Sequence, residues 1–379
     1  MANEAFLYRK TLRAAGAGLL CLVAIAAEAK DPQSILLVIP PNAEVWRVST
    51  AGDLELVLMA GNEAGSADVL RGTTSPVPSP DQRLVAYTRA GDMWLFDVAS
   101  KRERRLTHVG MPATETLASI DVFITRWSFD GRKILYAVSP GETEDPEGQQ
   151  PPKRERSAKY GRYVLDLANG QNVAVKLPNA TPLTWLPDES LLFESEGRLL
   201  AWRAPADSRA FAESVSGATM QVDVSRDGRK LAIVVSPSSP KWSSSQLLVI
   251  DLAGEPKKGL PITPLGRWAE YQWPKFSPSG ERTAYIHQVG REQIGNSKAF
   301  RAISELAIDG KSQFRFNGFG RPTWIDESTV ALTYSPPSGD RKGVELVVWN
   351  VDAAREVARH QIYRGIATRV PSTSEKANP

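Results

Sequence analysis

Val224-Ser225-Arg226-Asp227-Gly228, followed by Leu231-Ala232-Ile233-Val234-Val235, is the stretch on which the fold turns. A hydroxyl, one polar residue and an Asp-Gly pair ahead of an aliphatic, β-branched run describe a strand, a tight turn and a second strand. The phrase returns as Pro78-Ser79-Pro80-Asp81, Trp127-Ser128-Phe129-Asp130-Gly131, Trp185-Leu186-Pro187-Asp188, Phe276-Ser277-Pro278-Ser279-Gly280 and Trp324-Ile325-Asp326, at intervals of 39 to 58 residues. A phrase returning at such a period marks one supersecondary unit repeated along the chain.

Each anchor phrase is followed by a short apolar run: Leu84 to Tyr87, Ile134 to Val138, Leu191 to Phe193, Leu231 to Val235, Thr283 to Ile286 and Val330 to Tyr334. A second run then follows: Met93 to Val98, Tyr163 to Leu167, Leu199 to Trp202, Leu247 to Leu252, Ser304 to Ile308 and Glu345 to Val351. Their lengths and composition are those of strands, and helical periodicity is almost absent. Turn signals such as Asp309-Gly310-Lys311 close several of them.

Each unit therefore predicts a four-stranded antiparallel sheet, the blade of an all-β propeller. A single blade cannot cover its own apolar faces, so blades must pack on one another around an axis. Ile35 to Ile39, Glu44 to Val48 and Leu54 to Leu58 give three more strands ahead of the first phrase. We therefore favour seven blades, with six as the alternative. The innermost strand missing from that first blade is expected from Ile362 to Val370.

The N-terminus reads differently. Arg9, Lys10 and Arg13 precede an apolar run from Ala14 to Ala27 that ends Ala27-Glu28-Ala29. This is the pattern of a secretory signal peptide, too short for the roughly 20 apolar residues of a membrane span. We expect residues 1–29 to be a cleaved signal, 30–370 the propeller and 371–379 a disordered tail, in a periplasmic or secreted protein. The one cysteine, Cys21, lies inside that signal, and Gly18-Leu19-Leu20 ahead of it matches a lipoprotein box poorly. The expected mature chain then has no thiol, hence neither disulfides nor thiolate metal sites. The 379-residue chain is 42% hydrophobic, 23% charged and carries a formal charge of +3. That small charge argues against a nucleic-acid surface.

The anchor phrase, the strand after it, the strands ending in Asp-Leu or Asp-Val and the Arg105-Leu106-Thr107 triplet resemble the TolB-type, WD-like propeller repeat. The resemblance covers roughly residues 35–368. It implies a fold found in periplasmic proteins and in the propellers of prolyl-oligopeptidase-like peptidases. TolB itself has an extra α/β domain, for which Lys30 to Ile35 leaves no room. The peptidases have a Gly-x-Ser-x-Gly elbow, which this sequence lacks. The expectation is a stand-alone propeller.

The search for chemistry returns little. His108, His287 and His360 are far apart with no two-histidine metal spacing, and each is read as structural or surface. Gly318-Phe319-Gly320 lacks the third glycine and the helix of a dinucleotide site. Asp81, Asp130, Asp188 and Asp227 are read as turn caps rather than calcium ligands, because Ser279 replaces one of them without loss of the turn. We assign no catalytic residue, no metal site and no cofactor.

Of ten tryptophans, Trp127, Trp185 and Trp324 hold anchor positions and Trp46, Trp94, Trp202 and Trp349 fall in second strands; these seven are read as core. Trp242, Trp268 and Trp273 do not fit the repeat. The turns on one face of the ring are short, whereas irregular segments gather on the other: 61–75, 110–121, 140–160, 237–245, 267–272, 290–301 and 336–343. Loops on a rigid scaffold carry binding residues disproportionately. The candidate site is therefore Trp242, Arg267, Trp268, Glu270, Tyr271 and Trp273, either as a recognition surface or as a plug over the ring. The segment 140–160 reads as a mobile, mixed-charge loop or as a docking element.

The leading expectation is a monomeric, secreted, non-enzymatic binding or scaffold protein that recognises a protein or cell-envelope component through its loop face. Nucleic acid is not an expected partner, nor is a stable membrane span after signal cleavage. The alternative is a propeller lyase or hydrolase acting on a polysaccharide or other small polar substrate at the channel mouth, with Glu270, Arg267 and Arg126 available. A sensor or inhibitor partner of another enzyme is a third reading.

Overall fold

A computed structural model describes residues 34–370 apart from 40–43, 60–75, 90–91, 109–119, 141–160, 177–179, 204–208, 213–217, 237–243, 255–258, 265–269, 294–299, 336–342 and 364–365. The expected signal, the insertion 140–160 beyond Pro140, the tail, Trp242, Arg267 and Trp268 lie outside the described residues.

Residues from Ile35 onward form one unit of antiparallel sheets, with no helix among the described residues. Blade 1 contains β1 (Ser34–Ile39), β2 (Glu44–Ser49) and β3 (Leu54–Met59). Blade 2 contains β4 (Val77–Pro78), β5 (Leu84–Arg89), β6 (Asp92–Asp97) and β7 (Arg102–Arg105). Blade 3 contains β8 (Ile120–Trp127), β9 (Lys133–Pro140), β10 (Gly161–Asp166) and β11 (Asn172–Val175). Blade 4 contains β12 (Thr181–Trp185), β13 (Leu191–Ser195), β14 (Arg198–Trp202) and β15 (Arg209–Ala212). Blade 5 contains β16 (Ala218–Val224), β17 (Lys230–Ser236), β18 (Gln246–Asp251) and β19 (Gly259–Pro261). Blade 6 contains β20 (Glu270–Phe276), β21 (Thr283–Gln293), β22 (Phe300–Ile308) and β23 (Lys311–Asn317). Blade 7 contains β24 (Gly320–Trp324), β25 (Thr329–Tyr334), β26 (Val344–Asn350), β27 (Arg355–Tyr363) and β28 (Ile366–Val370). Seven blades on a four-strand plan make the all-β propeller expected from the repeat, and the six-blade alternative falls.

The anchor phrase builds its turn as its residues dictate. The buried hydroxyl of Ser225 donates to Asp227 Oδ1 at 2.6 Å and accepts from Lys230 N at 2.9 Å. Asp227 Oδ1 also accepts from Arg229 N at 3.0 Å, and Gly228 takes φ +73°. Ser79–Asp81 and Ser128–Asp130 repeat the donation at 2.6 Å. In blade 6 the Ser277 and Ser279 hydroxyls bond to each other at 3.1 Å, so a hydroxyl replaces the carboxylate as the cap.

At the other end of a blade a threonine acts as a latch. Thr107 Oγ1 accepts from Met93 N at 2.9 Å, and Thr263 Oγ1 accepts from Leu247 N at 2.9 Å. Between β22 and β23, Asp309 (φ +48°) and Gly310 (φ +85°) form a two-residue turn whose positive φ angles match the twist of the hairpin.

Between each pair of neighbouring blades lies one apolar cluster. Leu183, Leu192 and Leu199 of blade 4, for example, meet Leu231, Ile233 and Ile250 of blade 5. Side chains of this kind stabilise by about 1.5–3 kcal/mol each when fully buried. The ring closes where Leu37, Ile39, Trp46 and Val48 of blade 1 pack on Leu346, Val348, Ala358 and Ile362 of blade 7. Across that seam His360 Nε2 lies 2.7 Å from Gly52 O.

Closure differs from expectation in one respect. Ile362 belongs to β27, and β28 pairs with β27, in the register Ile362↔Ala367, as a fifth strand of blade 7. It does not complete blade 1, whose sheet contains only β1, β2 and β3 among the described residues. The two strands are separated by two residues, so a local hairpin forms at far lower loop-closure cost than pairing with the start of the chain.

Candidate functional site

The first strands of successive blades touch: β4 with β8, β8 with β12, β12 with β16, β16 with β20 and β20 with β24. They are the innermost strands and their residues border the axis. The residue two places before the first buried position of each anchor turn recurs at one level: Val77, Arg126, Thr184, Asp223, Lys275 and Thr323. None of the six is buried, in contrast to the apolar positions beside them. This level carries two cations and one carboxylate.

Asp223 is engaged by blade 6. It accepts from Lys275 Nζ at 2.7 Å and from Phe276 N at 2.9 Å. Arg126 has no such partner: no hydrogen bond or ion pair is made by its guanidinium among the described residues. Solvent reaches it, yet protein crowds it enough that burial lowers its pKa, with Asp223 opposing the shift. Blades 3 and 5 are not neighbours, so that interaction crosses the axial space.

Nearer the middle of the strands stand Gln221, Trp273 and Arg321. Trp273 N donates to Gln221 Oε1, joining blades 5 and 6. The Arg321 guanidinium lies 4.1 Å from the centre of the Trp273 ring, a cation–π contact joining blades 6 and 7. Burial lowers the Arg321 pKa as well. Trp273 sits in a bulge of β20, between Gln272 and Lys275, with φ +54°. Such bulges re-aim side chains next to functional sites. The axis thus presents three cations, one satisfied carboxylate and a half-buried indole.

The residues singled out from sequence fall into three groups. Trp242, Arg267 and Trp268 lie outside the described residues. Glu270 and Tyr271 are strand residues of β20, and so is Trp273; the irregular segment read as 267–272 is shorter than expected. Of the loop read as 290–301, residues 290–293 belong to β21 and 300–301 to β22, and 294–299 lie outside the described residues. Tyr271 is buried, its ring stacked 4.6 Å from His287 and edge-on at 5.8 Å to Tyr285, which makes it a packing residue. Glu270 is paired with Arg291 at 3.2 Å. Only Trp273 joins the axial set.

Asp223, Lys275 and Arg321 were missed. The signal was present, because aligning the anchor phrases puts Arg126, Asp223 and Lys275 at one repeat position. The core reading of the other tryptophans holds: Trp46, Trp127, Trp185, Trp202, Trp324 and Trp349 are buried, and Trp94 is half-buried under the Arg89 guanidinium at 4.0 Å.

No family model matches the sequence, and no curated protein matches it either. Among solved structures the chain is similar to TolB from Acinetobacter baumannii, at 18% identity over 75% of this chain and 62% of that one, with a TM-score of 0.44. It is similar to a putative TolB from Agrobacterium tumefaciens at 17% identity over 72% and 90% of the two chains, with a TM-score of 0.41. It is also similar to prolyl oligopeptidase B from Galerina marginata at 13% identity over 86% and 50%, with a TM-score of 0.49. At these identities the likeness is one of fold. The propeller itself rests on the strand pairing and the blade interfaces described above.

Proposed function

We propose that this protein is a secreted, TolB-like, non-enzymatic binding protein whose axial residues take an acidic segment of a protein partner. The observation that carries this reading is Arg126: a guanidinium at the axis, open to solvent and with no hydrogen-bonded or ion-paired protein anion among the described residues, is held ready for an anion from elsewhere. A ligand carboxylate supplies the charge-assisted hydrogen bonds that the protein does not. Arg321 and Trp273 add a second cation and a flat apolar surface, the combination enriched in binding hot spots. Trp242, Arg267, Trp268 and Glu270, at or before the start of β20 and in the loop of blade 5, would widen the contact on the loop face. The leader-like N-terminus supports a periplasmic or secreted location.

Glu270 is tied to Arg291, which favours binding over the lyase or hydrolase reading. The test is a titration of the full chain with an Asp/Glu-rich peptide and with its amidated, uncharged counterpart, followed by Trp emission. We expect saturable binding of the acidic peptide alone, weakened at least about tenfold by Arg126→Ala with Arg321→Ala, a loss equivalent to about 1.4 kcal/mol. Equal affinity of the double variant, or equal binding of both peptides, overturns the reading.

A further inference from the structure

A second candidate lies away from the axis, between blades 3 and 4, where a cavity of about 200 Å³ opens among the short turns. Its walls come from the ends of strands: Lys133 at the start of β9, Asp166 and Gln171 around the β10–β11 turn, Trp185 and Glu189 around the anchor turn of blade 4, and Trp202 at the end of β14.

The cavity coincides with a departure from the repeat. In blades 3 and 7 the anchor indole donates back to the preceding blade: Trp127 Nε1 to Val77 O at 2.8 Å, and Trp324 Nε1 to Lys275 O at 2.9 Å. Trp185 holds the same position in blade 4 and is 3% exposed, yet its Nε1 has no acceptor among the described residues. Buried donors are rarely left unmatched, and one that lines a cavity points to a ligand or water that matches it.

Other walls are also unsatisfied. Asp166 caps its own turn with Oδ1, accepting from Ala168 N at 2.9 Å, and Oδ2 has no partner among the described residues. The Gln171 side-chain amide has none there either. Lys133 and Glu189 neutralise each other across the two blades at 2.7 Å. Arg203 completes the wall and offsets Asp166, so the lining carries no net charge. The cavity-lining edges of two otherwise buried indoles supply apolar surface, while a carboxylate, an amide and a guanidinium supply directed polar contacts. The volume falls below the roughly 300–1,000 Å³ of pockets for drug-sized ligands. A small, uncharged molecule with an apolar face and a hydroxylated edge suits this lining.

We propose that the cleft between blades 3 and 4 is a subsite for one pyranose ring of a neutral glycan. The ring's C–H face lies against the indoles, and its hydroxyls meet Asp166, Gln171 and Arg203. The proposal is independent of the axial reading, because it concerns other residues and an uncharged ligand.

The experiment is saturation-transfer NMR, with Trp emission in parallel, on the full chain. The probes are glucose, mannose, galactose and N-acetylglucosamine, with glycine and alanine as zwitterionic controls. We expect at least one sugar to bind saturably with a Kd in the millimolar range, near the weak end of specific recognition. Gln171→Ala combined with Arg203→Ala, both at exposed positions, is expected to weaken it at least about tenfold while the thermal melt is unchanged. Trp185→Phe, which removes the N–H along with part of the ring, is expected to weaken it without loss of fold. No binding of any sugar at about 100 mM, binding unchanged in the double variant, or equal binding of the zwitterions overturns the proposal.

Discussion

Ser225 is a buried hydroxyl bonded in two directions, and the same geometry at Ser79 and Ser128 makes the anchor turn independent of its neighbours. Removing it strands Lys230 N and leaves Asp227 Oδ1 with only its bond from Arg229 N. Ser225→Ala should therefore cost about 1–3 kcal/mol, read from urea denaturation midpoints. Gly228→Ala should be worse than an ordinary Gly-to-Ala change, because φ is +73° and the added Cβ would stand 2.6 Å from Pro187 Cγ. The anchor tryptophans offer a sharper contrast. All three Trp→Phe changes trim a buried ring; beyond that shared packing loss, Trp127→Phe and Trp324→Phe each break a bond to a backbone carbonyl and should cost about 1 kcal/mol more than Trp185→Phe, which has none to break. Equal losses in the three variants would contradict the difference seen between the blades.

At the scale of the strand, the innermost element of each blade has two obligations: filling the seam with alternate residues and facing the axis with the rest. Arg126 shows the conflict. A charge without a bonded partner contributes little to folding, so Arg126→Leu should leave the melting temperature unchanged or raised while weakening capture of the acidic peptide. A lowered melting temperature would mean that Arg126 has a structural partner. Much of this level was legible in the sequence. The strands, their turns and the seven-fold repeat follow from the Ser-x-Asp phrases and the aliphatic runs, because those features are local. Arg126 was visible as a candidate, but Asp223 and Lys275 were not singled out. Their meaning depends on which blades meet at the axis, and a linear pattern does not state that. Trp273 stood out as foreign to the repeat; that it sits in a strand bulge beneath Arg321 is a tertiary fact. The fifth strand of blade 7 was misread for the opposite reason, since a long-range closure was inferred where a two-residue hairpin sufficed.

For the whole molecule, the blade 7–blade 1 seam is the point at which distant sequence is united, and a histidine stands in it. His360 is buried, and burial lowers its pKa; Gly52 O and Asp53 pull the other way, and Arg369 adds to the lowering. A base whose pKa is lower in the folded state contributes stability that is fully present above its unfolded pKa of about 6.5 and is lost as the pH falls through the folded value. His287, crowded by Tyr271 and lowered by burial against the opposing charge of Glu305, acts in the same direction. The melting temperature should drop between about pH 7 and pH 5. His360→Gln should flatten part of that slope; an unaltered profile would show that the seam is not the pH-sensitive element.

The same seam has a mechanical consequence. Because Ile35 and Val370 belong to adjoining blades, tension applied between them loads that one joint first and leaves the other six in series behind it. Tethered at those two points in an optical trap, the ring should give way at the seam before any blade unravels. The force of that first rupture would then measure the join by itself.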